Sequence, residues 1–301
     1  MVPGSVEVLE HLTLTKPISA DMEGDRGPAG AAGDHPNSSF WNELCGSTLA
    51  RRLGVKDSSP ESLKRFDDWY FDFYSYLLPF VRAAGLENRR VLEVGLGYGS
   101  LSQKIAEAGA AYTGLDIAAG PVAMVNHRLN QCALPGQAVQ GSVLDCPFPD
   151  QSFDVAVAIG SLHHTGNLAL ALCELRRVLV PGGQVVFMVY NALSYRRWAR
   201  WPISTMQHAL WARGTLPKKP ASSESERRAY DADSEGNAAP ETVFTTAGEL
   251  TKMMEGWSVE TLRLENVGDE GPLRLLPRSV KLAALGPWAG LDIYVRATRS
   301  A

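Results

Sequence analysis

The chain has 301 residues, 45 % of them hydrophobic and 21 % charged, an ordinary globular balance that suits one large domain or two modest ones. A net charge of −4 speaks against a protein built mainly to grip a nucleic-acid backbone, which carries a basic surplus. Four scattered cysteines, Cys45, Cys132, Cys146 and Cys173, form no C-x-x-C pair, so neither a zinc site nor a disulfide framework is signalled.

Free thiols in a reducing compartment are the expectation. No basic stretch leads into an apolar run near the start, and no apolar run approaches the length of a membrane span, so the chain reads as cytoplasmic. Residues 1–39 read as a flexible segment. They include Gly24, Gly27, Gly30 and Gly33 at a spacing of three, too few triplets for a collagen-like helix. Order is expected from Phe40. Residues 40–53 and 62–81 each read as one helix, and in the second Leu63, Phe66, Tyr70, Phe73, Leu77 and Phe80 recur at helical spacing. The aromatic excess suits core packing or a lid, spanning 40–84, over a small-molecule site.

From Arg89 to Tyr190 strand and helix alternate. "RVLEV" is a buried strand, "SLSQKIAEAGA" a helix stopped at Gly109, "AYTGLDI" a strand, and "PVAMVNHRLNQCAL" a helix. "QAVQGSV" and "FDVAVAIGSL" follow as strands, the latter apolar throughout as a central parallel strand should be. Asn167 caps the helix "LALALCELRRVL", and "PGG" turns the chain into the strand "QVVFMVY". Beyond Asn191 a helical stretch is interrupted at Pro202. Residues 214–240 are polar and read as a mobile loop, and Thr246 with Glu249 forms a capping box. "SVETLRLENV" and "LDIYVRAT" complete the sheet as an end hairpin. The expected fold is α/β: a doubly wound, mostly parallel, seven-stranded, Rossmann-like sheet with N-terminal helices and a helical insert after the fifth strand.

The first strand runs into "EVGLGYGS". A dinucleotide fingerprint needs a glycine where Ser100 stands, and a phosphate loop ending G-K-[ST] is absent. Gly95, Gly97 and Gly99 instead let a ligand lie against bare backbone at the carboxyl edge of the sheet. Asp116, ending the second strand, is placed to accept hydrogen bonds from a ribose diol, or else to cap the next helix.

With "GSVLDCPFPDQSFDVAVAIGSLHHT" and "RRVLVPGGQVVFMVY" following in order, residues 85–192 resemble the class I S-adenosylmethionine-dependent methyltransferases, in the broad group that includes the ubiquinone and menaquinone biosynthesis enzymes. The resemblance implies a catalytic domain over 85–301, with 192–255 as a cap on the acceptor side. It implies that Glu93, Gly95 and Gly97 form the floor under the methionine part of S-adenosyl-L-methionine, with Leu96 and Gly99 of the same loop also cofactor-binding. Asp116 would hold the ribose, Ile117 would pack on the adenine, and Gly160 with Ser161 would line the floor near the sulfonium. The family's third strand commonly ends G-D-A, where this chain has Gly141, Ser142 and Val143. Ser142 is a neutral, weaker acceptor for the adenine amino group, Asp145 is a substitute three residues on, and the Val143 N–H meets a ring nitrogen.

Methyl transfer needs alignment and exclusion of water rather than a covalent nucleophile. His163 and His164 stand where the fourth strand meets the cleft, as structural turn residues, as pocket lining or as a general base. Tyr190, Asn191 and Tyr195 follow the fifth strand, either orienting an acceptor or capping the strand. No metal is expected, since the two histidines lack ligand partners at recognisable spacing. "SYRRWARW" reads as a cover helix with a solvated basic face, as a recogniser of anionic or aromatic acceptors, or as a lipid-interface contact. The partner is a small-molecule or lipid-like acceptor, not a nucleic acid. Two rival functions share the layout: a non-catalytic binder of the same cofactor, and a nicotinamide-dependent oxidoreductase.

Overall fold

The computed structural model describes residues 36–44 and 47–301, so most of the expected flexible segment 1–39, its glycine triplets included, lies outside the described residues. Two short helices, α1 (Pro36–Trp41) and α2 (Ser47–Arg52), replace the single helix expected over 40–53. α1 gives way to a turn in which Leu44 takes the left-handed φ of 70°. The second expected helix is also two: α3 (Pro60–Phe73), capped by the Ser59 side chain, and α4 (Leu77–Arg82). Pro79 explains the break. It has no N–H to donate and is tolerated only within a first turn, so a fresh helix starts just ahead of it although the apolar period runs straight through.

The alternating region follows the expected order: β1 (Arg90–Val94), α5 (Ser100–Glu107), β2 (Ala111–Asp116), α6 (Ala119–Gln131), β3 (Gln137–Gln140), β4 (Phe153–Ile159), α7 (Leu168–Val178) and β5 (Leu179–Tyr190). Asn167 caps α7 by accepting the Leu170 N–H at 3.0 Å. β5 starts earlier than "QVVFMVY". Leu179 already pairs with Phe153, and the ladder resumes at Gln184 beside Val155 after an irregularity through the glycines.

Beyond it come α8 (Tyr195–Arg200), α9 (Pro202–Ala212), α10 (Glu224–Arg228) and α11 (Ala247–Met253). Then follow β6 (Trp257–Glu265), α12 (Arg278–Ala284), α13 (Gly286–Ala289) and β7 (Asp292–Arg299). α10 corrects the reading of 214–240 as loop alone. It carries a full capping box between Ser223 and Glu226, and Glu226 is buried. The Thr246–Glu249 capping box is present as expected.

The seven strands lie in the order β3-β2-β1-β4-β5-β7-β6. β1 to β5 pair in parallel, and β7 inserts antiparallel between β5 and β6. The last two strands are thus an antiparallel pair, joined by a helical connection rather than a tight turn. Side chains alternate between two cores. Leu92, Ala156, Phe187 and Val295 face α7 and α11, whereas Val91, Val155, Val186 and Tyr294 face α4, α5 and α6. Strand order reverses between β1 and β4, which opens a crevice at their carboxyl ends where open α/β sheets bind ligands. Among the described residues no helix is long and apolar enough to cross a membrane, and Cys132, Cys146 and Cys173 are free thiols.

Candidate active site

The crevice is a cavity of about 370 Å³, within the size range of small-molecule sites. One wall is the carboxyl edge of β1, β2 and β4. The other is made by side chains from α1, α3, β5 and the segment after α10.

The edge wall begins with Glu93, almost wholly buried, whose carboxylate accepts the Tyr112 hydroxyl at 2.6 Å. Burial pushes its pKa up to about 7, against the pull of that hydrogen bond. Gly95 must be glycine for two reasons. Its φ is +82°, and a Cβ there would sit 2.3 Å from the Cβ of Ser161. Gly95, Leu96 and Gly97 all line the cavity. Gly99 does not: its φ of +73° begins α5, and a Cβ would press on the Arg128 side chain at 2.9 Å. The third glycine of the loop is fixed by packing, off the cavity wall.

Asp116 faces the cavity with its carboxylate fixed by two backbone donors, the N–H of Leu96 at 2.8 Å and of Ala118 at 2.9 Å. Each oxygen keeps a lone pair for a further donor. Burial raises its pKa to about 6 although both N–H groups oppose the rise. Ile117, Ser142, Val143 and Gly160 line the cavity beside it. The Ser142 hydroxyl accepts the Leu144 N–H at 3.1 Å, and Ser161 donates to the Val94 carbonyl at 2.6 Å. Asp145 is exposed and absent from the wall, so it is no substitute for the missing family acid; Leu144 stands there instead.

On the opposite wall Trp41, Phe66, Tyr70 and Tyr74 present rings to the cavity. α1 is tied across the mouth: Asn37 donates to the His164 carbonyl at 2.7 Å and Ser38 to the Ile117 carbonyl at 3.1 Å. α3 is tied to the glycine-loop side by Asp67, which accepts Ser100 at 2.5 Å and pairs with the buried Arg128 at 2.9 Å.

His164 and Tyr190 line the cavity, whereas His163 is fully buried behind them. Burial holds the His163 ring neutral, with its pKa well below the usual value. His164 Nδ1 lies 2.8 Å from the Glu241 carbonyl, and Tyr190 donates to Asp231 at 2.8 Å. Asp231 approaches His164 Nε2 at 3.4 Å. The fold thus supplies the ligand-type partner that sequence spacing lacked. Asn191 bonds Gly290 and Leu193, and the Tyr195 hydroxyl accepts the Gly268 N–H; neither residue lines the cavity.

The basic face of "SYRRWARW" is not solvated. Arg196 pairs with Glu270 and stacks over Tyr230. Arg197 is buried against Glu226 at 2.9 Å and over the Phe244 ring; Arg200 alone of the three arginines is exposed. Sequence reasoning missed Trp41, Tyr98, Tyr230, Asp231 and Tyr294, all of which line the cavity. The one available signal was "AYD" at 229–231, an aromatic and an acid together in an otherwise polar stretch.

Comparison with known proteins agrees with this geometry. Residues 92–187 match the family described as "Methyltransferase domain". The chain is 38 % identical over 138 residues to a fatty-acid O-methyltransferase of Mycolicibacterium smegmatis, covering 44 % of this chain and 50 % of that one. It is 34 % identical over 102 residues to a demethylmenaquinone methyltransferase of Tropheryma whipplei, covering 34 % and 41 %. The chain therefore spans half or less of the curated relatives it matches. A SAM-dependent methyltransferase structure from Methanosarcina mazei shares the fold, with a TM-score of 0.51 at 16 % identity over 75 % of this chain and 97 % of that one. With the glycine turn, the acid ending β2 and the seven-stranded order all in place, residues 92–187 carry a methyltransferase domain, set in a sheet of the class I S-adenosylmethionine-dependent methyltransferase fold.

Proposed function

We propose that this protein transfers a methyl group from S-adenosylmethionine to a small apolar or lipid-like acceptor. The observation that carries the reading is the two-sided cavity, with bare backbone and a fixed carboxylate on one wall and aromatic rings on the other. The cofactor's groups suit the first wall. The oriented carboxylate of Asp116 accepts ribose hydroxyls, and Ile117, Val143 and Leu144 offer apolar surface to a planar base. Gly95, Gly97 and Gly160 let the chain close on the ligand without side-chain interference. Glu93 and Asp116 set negative charge beside a ligand that is net positive.

When bound, the cofactor supplies an electrophilic methyl on a sulfonium. The protein's task is to align an acceptor with it and to keep water out. Trp41, Phe66, Tyr70 and Tyr74 perform the second part, with 40–84 as lid and 192–255 as cap of the acceptor side. The apolar character of this wall, and relatives named for a fatty acid and a menaquinone precursor, favour an acceptor of the same kind. His164 and Tyr190 form its polar end. His163 acts from behind them and does not touch the acceptor.

Calorimetry with S-adenosylhomocysteine tests the first wall, and transfer of labelled methyl into an apolar metabolite extract tests the second. Binding without any labelled product would leave a non-catalytic binder. Binding of NADH in place of S-adenosylhomocysteine would overturn the reading.

A further inference from the structure

The polar end of the acceptor wall holds an arrangement of lone pairs that hydrogen bonding alone leaves unresolved. His164 Nδ1 faces the Glu241 carbonyl at 2.8 Å, and a carbonyl only accepts, so Nδ1 carries the proton. In the neutral ring Nε2 then bears a lone pair. It makes no hydrogen bond and is directed toward the Asp231 carboxylate, 3.4 Å away. That carboxylate is itself held by the Tyr190 hydroxyl at 2.8 Å. Behind it lies His163, 0 % exposed, packed against the His164 and Tyr190 rings; the Met188 backbone acts on it as a hydrogen-bond partner, and neither ring nitrogen has a full hydrogen bond. One ligand-type atom from each of His163, His164 and Asp231 lies within 4.8 Å of the others. Buried polar atoms are nearly always satisfied, and an exception calls for an ion or water.

We propose that His163, His164 and Asp231 form a binding site for a divalent transition-metal ion at the acceptor end of the cavity. Two imidazoles and one carboxylate suit zinc, cobalt, iron(II) or manganese rather than calcium. The surroundings are those of a ligand set. A histidine that binds metal through one nitrogen usually donates from the other to a backbone carbonyl, as His164 does to Glu241, and a ligating carboxylate is itself hydrogen-bonded, as Asp231 is by Tyr190. Three protein ligands leave positions open, the pattern of sites that bind substrate rather than brace a fold. Here His164 and Asp231 face the cavity, so an oxygen on the acceptor would complete the coordination. This role rests on the reading of the cavity as a methyl-acceptor pocket; the metal site itself does not.

The test is titration of chelator-treated full-length protein with Co(II), followed by its visible ligand-field absorption, with Zn(II) as competitor. One equivalent per chain is expected. Asp231→Asn and His164→Gln should each weaken uptake more than tenfold. Tyr190→Phe, which removes only the hydroxyl behind Asp231, should weaken it by about 10–100-fold. S-adenosylhomocysteine calorimetry on the same samples shows whether each variant is folded. Protein that binds S-adenosylhomocysteine but takes up no stoichiometric Co(II) or Zn(II) overturns the metal site and leaves the cofactor reading standing. Uptake indifferent to all three substitutions overturns it as well. Metal uptake without S-adenosylhomocysteine binding keeps the site and removes its proposed role.

Discussion

The two walls of the cavity are built by different means. The wall proposed for the cofactor comes from one stretch, Glu93 to Ser161, and gathers the carboxyl ends of strands with the glycine turn between them. The facing wall, proposed for the acceptor, is assembled from α1, α3, the end of β5 and residues 230–231. Ladder hydrogen bonds fix the first. The second is held by buried ion pairs: Arg128 with Asp67 beneath α3, and Arg197 with Glu226 between α8 and α10. Glu249 adds a third link, accepting from His208 at 2.9 Å and Lys219 at 2.6 Å. A wall of backbone resists substitution by steric exclusion. A wall hung on buried charges fails when one partner is removed.

Substitutions that separate the two walls make the comparison testable. The largest effect should come from Glu226→Ala. It strands the buried Arg197 guanidinium and should cost about 3–5 kcal/mol in urea unfolding. Loss of under 1 kcal/mol would mean that α10 is not held by that pair. Gly95→Ala strikes the other wall. Left-handed strain and overpacking against Ser161 together should cost about 2–4 kcal/mol and abolish S-adenosylhomocysteine binding; unchanged binding would show that the turn is free to shift. Asp116→Ala should weaken that binding by about 1.5–3 kcal/mol, roughly ten- to a hundred-fold in Kd, with a smaller change in stability.

The smallest effect is on pH. Asp116 and Glu93 hold their protons to about 6 and about 7 in the folded protein, above their ordinary values. The folded state therefore binds more protons than the unfolded chain between about pH 4 and 7. These groups favour folding most below their unfolded pKa, and that contribution is lost as pH rises to the folded value. Ligand binding has the opposite sign, because only the ionised Asp116 carboxylate accepts from ribose hydroxyls at full strength. Affinity for S-adenosylhomocysteine should rise from pH 5.5 to 7.5, by about fourfold from Asp116 alone. A flat profile would remove Asp116 from the ribose.

The strands of the cofactor half were legible because a buried parallel strand is an apolar run, and its end is marked by a glycine or an acid. At Gly99 the spelling is ambiguous, because a glycine needed for packing against Arg128 reads the same as one that lets a ligand approach. The break between α3 and α4 was readable from Pro79, but a continuous aromatic period outweighed it. The segment 214–240 was illegible for a deeper reason. Its buried residues are Glu226 and the small Ala239, and burial by charge pairing leaves no mark on a hydrophobic pattern.

The alternation of strands and helices along the chain, the glycine turn and the acid ending β2 were set by local residue types and their spacing. Those features depend on backbone conformation and on the period of burial, which neighbouring residues encode. Tertiary structure alone brought Asp231 to His164, turned Arg197 inward and set the α3 rings over the cavity. Contacts between residues far apart in sequence depend on how finished elements pack, and no local pattern carries that information.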